Sequence, residues 1–344
     1  MQAVQIHEHG GPEVLRLVDL PEPTPGPGEV VAKVLAVSVN HLDLWVRRGM
    51  PGMPLPLPMI PGCDGTGEVV EVGEGVTRFA VGDKVVLEPG YSSGISEHDE
   101  AGNDHLSSDY QLRGEHSDGL DCELVAFPER LLTPLPEGVD PVAAAAVPLV
   151  FLTAWGMMIN RAQLKAGETV LVLGGASGVG SAAIQIAKDL GAHVVATAGS
   201  DEKLTLVKEL GADAAVDHRD DAWPKAVRAA LNGGACDVVI EHVGPATWEG
   251  SMRCLARNGR LVTCGGTTGA KVSLFLPPLF IKNISVLGST MGPRAAIAPI
   301  FERIASGIYR PVLDRVMPLS EVCSAHEMLE GRQVNGKLVL IPGS

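Results

Sequence analysis

Between a short apolar run (169–173) and a run with helical spacing (181–190), the chain reads Gly175-Ala176-Ser177-Gly178-Val179-Gly180. A bare Gly-x-Gly-x-x-Gly pattern is weak evidence, because glycine turns are common. A strand before it, a helix after it and a second strand at 193–197 make the signal strong. Glycine lets the backbone approach a pyrophosphate, whose charge meets the free N–H groups of the helix start. Ser177 stands in for the middle glycine and should crowd the pyrophosphate slightly. Two other segments carry residues capable of chemistry, Asn40-His41-Leu42-Asp43 and Cys63-Asp64. Asn40 and Asp43 suit either a polar site or turn capping by side-chain-to-backbone bonds. Cys63 with Asp64 suggests a thiol beside a base, although a buried thiol is usually inert. His98, His105, His116 and Cys122 are further candidate metal donors, but their spacing fits no standard site.

These groups need elements to hold them. Through about residue 120, β-branched runs at 30–37, 65–72 and 84–87 are joined by Gly73-Glu74-Gly75 and Gly82-Asp83 turns, which reads as all-β with little helix. Residues 21–28 form a stiff proline loop. The longest apolar stretch, 142–158, contains Pro148 and falls short of the roughly 20 residues that span a bilayer, so it reads as a buried helix and linker. Beyond residue 165, strands at 169–173, 193–197, 214–216, 236–240 and 260–263 alternate with helical runs at 181–190, 202–210, 222–231 and 247–255. Such alternation marks an α/β fold with a doubly wound parallel sheet. Val243-Gly244, Gly265-Gly266-Thr267 and Gly288-Ser289 follow strands at their C-terminal ends, where an open α/β sheet binds its ligand. From about 291 the chain reads as helical, ending in a strand at 337–341.

At 344 residues two domains are expected. With 27 basic and 41 acidic residues the net charge is −14, which argues against nucleic acid or an anionic membrane as partner. The six cysteines (63, 122, 236, 254, 264, 323) include no Cys-x-x-Cys pair and read as reduced thiols of a cytosolic protein. No basic region followed by an apolar run opens the chain, so a cytoplasmic location is expected.

Taken together, Asn40-His41-Leu42-Asp43, Pro61-Gly62, Gly75-Val76-Thr77-Arg78-Phe79 with Gly82-Asp83, Leu152-Thr153-Ala154-Trp155 and the 175–180 loop resemble the medium-chain dehydrogenase/reductase superfamily. The resemblance covers essentially the whole chain. Asn40 and Leu-Thr-Ala-Trp look most like its quinone oxidoreductase branch. It implies a GroES-like, β-rich substrate domain over 1–150 and a Rossmann NADP-binding domain over 151–289. The segment 290–344 then returns to the first domain, and a homodimer forms through the cofactor domain. Zinc-dependent alcohol dehydrogenases of this superfamily carry three catalytic ligands at the places of Asn40, Cys63 and Leu149. A tetrahedral zinc needs about three thiolate, imidazole or carboxylate ligands; an amide, one thiol and an aliphatic chain do not supply them. Leu42 stands where those enzymes pass the alcohol proton through a hydroxyl. Residues 89–116 match their structural-zinc lobe in length, with Ser93, Ser96, Asp99 and Ser107 at the four thiolate positions. No zinc is expected at either place.

By register with that family, Ala198 takes the place of the acid that bonds the ribose hydroxyls in NAD-specific sites. Ser200 and Lys203 could instead bond a 2′-phosphate, with His218 beside it, and Asp201 is the contrary charge. The expected cofactor is therefore NADPH. The resemblance assigns His41 to the pyrophosphate, Asn40 to the nicotinamide edge as carboxamide neighbour or oxyanion donor, and Thr153 to the nicotinamide's other wall. Asp43 orients the loop. Trp45, Met59 and Phe151 are candidate substrate-pocket walls, each equally readable as core. The expected function is NADPH-dependent, zinc-independent hydride transfer to a small molecule, a quinone or α,β-unsaturated carbonyl. Its developing oxyanion can be steadied by donors worth roughly 3 kcal/mol each. A zinc-type alcohol dehydrogenase and an NADPH-binding sensor or structural protein are the alternatives.

Overall fold

The computed structural model describes residues 1–50 and 52–343. The chain forms two units, Met1–Leu149 with Pro293–Ser344 and Val150–Gly292. In the first, β1 (Gln2–Gln5) pairs antiparallel with β2 (Arg16–Asp19). The β-branched run becomes β3 (Glu29–Ser38), followed by α1 (His41–Arg48), β4 (Asp64–Val72) and β5 (Lys84–Leu87). A small lobe follows, with β6 (Gly90–Tyr91), the one-turn α2 (Glu97–Glu100) and β7 (Gln111–Leu112). Next come β8 (Leu124–Pro128), β9 (Leu132–Pro134) and α3 (Pro141–Ala145), whose first turn is capped by the Asp140 carboxylate. The helix α1 was not expected in this half. It arises because Asp43, at its third position, accepts the Asn40 N–H and caps a segment with apolar residues at Leu44 and Val46.

The apolar stretch 142–158 is not one helix. Pro148 has no N–H to continue α3, so it opens α4 (Pro148–Trp155), which runs into a π-helical turn, Gly156–Arg161. The second unit then alternates as its sequence suggests: β10 (Thr169–Val172), α5 (Gly178–Asp189), β11 (His193–Ala198), α6 (Asp201–Glu209), β12 (Ala214–Asp217), α7 (Trp223–Ala230), β13 (Cys236–Glu241), α8 (Pro245–Cys254), β14 (Leu255–Thr263), α9 (Leu276–Ile281) and β15 (Ser285–Gly288). The six strands are parallel in the order β12-β11-β10-β13-β14-β15. Covered on both faces, the central strands are continuously apolar, and Val170, Leu171, Val194, Val195, Val238 and Val239 are fully buried. Strand order reverses at β10 and β13, so a crevice opens at their C-terminal ends.

The tail adds α10 (Ile297–Ala305), β16 (Leu313–Pro318), α11 (Val322–Glu330) and β17 (Lys337–Ile341) to the first unit. The strand β16 escapes sequence reading because Asp314 and Arg315 interrupt its apolar residues; pairing with β17 makes it a strand. The resulting sheet runs β16-β17-β3-β4-β5-β9, with β8 also on β3. Two register shifts in the β3–β4 ladder mark bulges that bend it. Its core includes Val30, Val34, Met59, Val69, Val85, Phe127, Leu338 and Leu340. The pairing sets Ser38 opposite both Asp64 and Val339, which gathers the ends of β3, β4 and β17 at one place.

Candidate active site

That place holds a buried polar cluster. Asn40 leaves β3 in an extended conformation (φ −123°) as the N-cap of α1, with its backbone N–H on Asp43 Oδ2 at 2.7 Å. Its carboxamide is turned into the cluster. Nδ2 donates to Ser38 O at 3.1 Å and to Asp64 Oδ2 at 3.0 Å, and reaches Cys63 Sγ at 3.5 Å. Oδ1 accepts a hydrogen bond from Lys337 Nζ. Each polar atom of Asn40 is engaged, so an oxyanion-donor role requires one of these bonds to open. Asp64, fully buried, also accepts Ser38 Oγ (3.1 Å), the Leu149 N–H at the start of α4 (2.7 Å) and Lys337 Nζ (3.4 Å).

Burial pushes the Asp64 carboxyl up, against the pull of Lys337 and Asn40. Burial likewise raises Asp43, to about 7. It drives the Cys63 thiol well above its ordinary range, assisted by Asp64 and Asp43, so this thiol is held protonated. Asp121 is raised by burial and by Asp43. Among the described residues, no three of His, Cys, Asp and Glu gather so as to hold a metal ion.

The remaining first-unit candidates divide. His41 and Trp45 are half-buried on α1. Met59 is 1% exposed, exchanges backbone hydrogen bonds with Ile6 and belongs to the core. Phe151, on the second unit's α4, is equally covered. In the lobe, Ser96, Asp99 and Ser107 do converge: Ser96 Oγ donates to Asp99 Oδ2 at 2.6 Å, and Ser107 Oγ lies 3.0 Å from Ser96 Oγ. Ser92 also bonds Asp99, while the Ser93 N–H and Ser107 Oγ meet Asp109. Hydroxyl–carboxylate bonds hold this part of the lobe together. Beside this lobe a cavity of about 350 Å³ is lined by Arg78, Arg130 and Arg294 against Glu88, Asp99 and Asp104. Its charges balance, and none of the residues expected to act lies in it.

In the second unit the glycine loop has the expected form. Helix α5 begins at Gly178, earlier than its sequence suggests, so the first-turn N–H groups of Gly178 and Val179 fall within the loop. Ser177 turns its hydroxyl back to accept the Gly180 N–H (3.1 Å), acting as N-cap. A Cβ on Gly180 would lie 2.3 Å from Gly174 O, and one on Gly175 2.8 Å from Val207, so both glycines are sterically required. Thr197, at the end of β11, clasps the loop: Oγ1 accepts the Gly174 N–H and its carbonyl accepts that of Gly175. The same hydroxyl lies 3.2 Å from His218 Nδ1, and the ring packs over Gly199, where a Cβ would meet Nε2 at 2.9 Å. Ser200 caps α6 through the Lys203 N–H, placing Lys203 in the first turn. Arg219 bonds Asp217 and approaches Asp201 at 3.4 Å, offsetting the contrary charge.

At the ends of β13 and β14, Glu241 is fully buried and accepts from Val243 N (2.7 Å), Gly244 N (3.0 Å), Thr247 Oγ1 (2.9 Å) and Ser251 Oγ (2.6 Å). Thr268 ties the 243–246 turn to the loop carrying Gly265, Gly266 and Thr267, since its N–H and Oγ1 both donate to Val243 O. The Ser289 N–H bonds Thr263 O, and Gly288 O accepts Arg161 Nε at 2.7 Å. Thr153 Oγ1 contacts Met291 Sδ at 3.7 Å. Loops at the strand-order reversal, glycines whose Cβ space is filled and helix-start N–H groups fit a dinucleotide. Sequence reasoning missed Ser38, Lys337, Thr197, Arg219, Glu241 and Thr268. Glu241 and Lys337 left a faint signal, each placing a charge at one end of an apolar strand.

A β-rich unit together with a doubly wound unit that fits a dinucleotide defines the class, an NAD(P)-linked oxidoreductase. Residues 26–137 match the family described as alcohol dehydrogenase GroES-like domain, and 178–306 the one described as zinc-binding dehydrogenase. A quinone oxidoreductase of Pseudomonas aeruginosa is 33% identical over 351 positions, spanning 98% of this chain and 99% of its own. An alcohol dehydrogenase of Schizosaccharomyces pombe is 30% identical over 340, spanning 98% and 97%. The crystal structure of an NAD-dependent alcohol dehydrogenase superposes with a TM-score of 0.96 at 44% identity, over 100% of both chains. The chain belongs to the medium-chain dehydrogenase/reductase superfamily. No helix among the described residues is long and apolar enough to cross a membrane.

Proposed function

We propose that this protein is a cytoplasmic, NADPH-dependent, zinc-independent reductase of quinones or α,β-unsaturated carbonyls. The observation that carries the reading is the Asn40–Asp64–Lys337 cluster. Asn40 stands at one catalytic-ligand position, and its carboxamide is already bonded to Asp64 beside the second position and to Lys337. Without a Lewis acid, an unactivated alcohol has nothing to stabilise its alkoxide, whereas a conjugated acceptor carries its own activation. When bound, NADPH supplies the hydride. The chain's residues bind and orient: the 175–180 loop and first turn of α5 take the pyrophosphate, and His41 assists. Ser200, Lys203, His218 and Arg219 take the 2′-phosphate. The loops 243–244, 265–267 and 288–289 support the nicotinamide half. Asn40 and Asp43 act at the reacting end, Thr153 lies along the nicotinamide, Trp45 contributes to the substrate pocket, and solvent supplies the proton.

A second reading, an NAD-dependent alcohol dehydrogenase, is favoured by the name of the 44% identical structure. Metal analysis of purified protein decides between them, followed by NADPH oxidation with quinones and enones beside NADP⁺ reduction with alcohols. Metal-free enone or quinone reduction is expected; zinc-dependent alcohol oxidation overturns the proposal, and cofactor binding without turnover on any acceptor leaves a sensor.

The active form is proposed to be a homodimer. Strand β15 is an open edge of the six-stranded sheet, and Phe275, Leu276, Phe280 and Ile281 beside it in sequence are each more than half exposed. An exposed apolar patch next to an unpaired strand is a liability unless a partner covers it.

A further inference from the structure

The family description for 178–306 names zinc, and the residues present do not fit it. What replaces the metal is visible in the donor set. A cation site requires lone pairs aimed inward from several elements. Here two of the three segments that would bring ligands instead bring hydrogen-bond donors to a carboxylate, Asp64, which the third supplies. Asn40, at the first ligand position, donates Nδ2 to Asp64, and Leu149, at the third, donates its N–H. Ser38 adds its hydroxyl. The remaining lone pairs, on Asn40 Oδ1 and Asp64 Oδ2, face Lys337 Nζ, which arrives from β17 on a side chain that is 5% exposed. An ammonium has three donors and no acceptor, so it satisfies those oxygens and contributes one positive charge.

We propose that Lys337 is the resident cation of this site. Its ammonium fixes the Asn40 carboxamide and the Asp64 carboxylate in the geometry seen here, and it keeps divalent metals out. Lys337 is thus a positioning residue for Asn40, and its charge rather than its bulk is the feature that matters. This inference rests on the zinc-independent reading.

The test compares full-length wild type with Lys337→Met, similar in volume but neutral, and Lys337→Arg, which retains the charge. Each is titrated with Co²⁺ at micromolar concentration, desalted and analysed for metal, and a near-ultraviolet thiolate-to-cobalt band reports ligation by Cys63. Wild type and Lys337→Arg should retain less than about a tenth of an equivalent. Lys337→Met, which leaves Asp64 Oδ2, Asn40 Oδ1 and Cys63 Sγ without a cation, should retain several-fold more than wild type, and lose it with its band when Cys63→Ala is added. The inference is overturned if Lys337→Met excludes cobalt as wild type does, or if wild type binds it through Cys63. Should Lys337→Met not fold, Lys337→Gln serves in its place with the same criteria. A metal-free wild type that reduces enones while Lys337→Met stays empty sinks this inference alone. Zinc-dependent activity of the wild type sinks the function it rests on.

Discussion

Substituting Asp43 by asparagine isolates the cost of a buried carboxylate. Asp43 is 2% exposed, and burial raises its pKa from 3.8 to about 7, with Asp64 adding to the rise. The N–H groups of Asn40 and Gly62 and the Lys337 ammonium pull it back. A carboxyl whose folded pKa lies above its unfolded value binds its proton more tightly when folded. Its stabilising contribution is therefore complete below the unfolded pKa and is lost as pH rises through the folded one. At about 1.4 kcal/mol per pH unit, the full loss is about 4 kcal/mol, of which about 2–3 kcal/mol falls between pH 5 and pH 7. The carboxamide of the variant would still accept the Asn40 N–H but cannot ionise, so Asp43→Asn should lack that portion of the pH dependence. Thermal unfolding of both proteins at pH 5 and pH 8 is the assay. Relative to wild type, the variant's Tm should rise by roughly 5–10 °C between the two, at about 2–4 °C per kcal/mol for a unit of this size. Taking the difference cancels the histidines and the carboxylates remote from Asp43, while Asp121, which the Asp43 charge raises, shifts in the same direction. A Tm difference that stays constant from pH 5 to pH 8 would refute the reasoning.

Three further outcomes are expected. Glu241→Ala leaves the N–H groups of Val243 and Gly244 and the hydroxyls of Thr247 and Ser251 without their acceptor. At about 1–3 kcal/mol for each donor left unsatisfied, calorimetry should show a Tm at least roughly 5 °C lower; an unchanged Tm counts against the hub role. Lys203→Ala combined with Arg219→Ala should weaken NADPH binding at least about tenfold, or about 1.4 kcal/mol. Fluorescence titration should show NADH affinity unmoved, and equal losses for both dinucleotides would contradict the 2′-phosphate assignment. Phe275→Asp with Phe280→Asp should sediment as a monomer at concentrations where wild type is a dimer, and a dimeric variant would place the interface elsewhere.

The local patterns were legible because they depend on near neighbours in sequence. Strand–helix alternation after residue 165 follows from runs of Val, Leu and Ile whose period changes every ten residues or so. The glycine loop announces itself because only glycine fits beside Gly174 O and Val207. The failures in the first unit have one local and one tertiary cause. Capping by Asp43 made α1 from what read as a loop, and a parallel partner made β16 from a charged segment.

The active-site chemistry was only half visible. Motif placement by family resemblance led to the expectation of no zinc at Asn40, Cys63 and Leu149, but said nothing of what stands there instead. Lys337 lies 297 residues from Asn40, and Asp64 lies 85 from Leu149. Their meeting depends on β17 pairing with β3 and β3 with β4 in one register, since a slip of one residue turns a side chain to the other face. Met59 read as well for a pocket as for a core until its pairing with Ile6 enclosed it. Periodicity and turn chemistry are properties of adjacent residues and are written along the chain. The partner of a buried charge, and hence its protonation, is a property of distant strands and exists only once they are folded together.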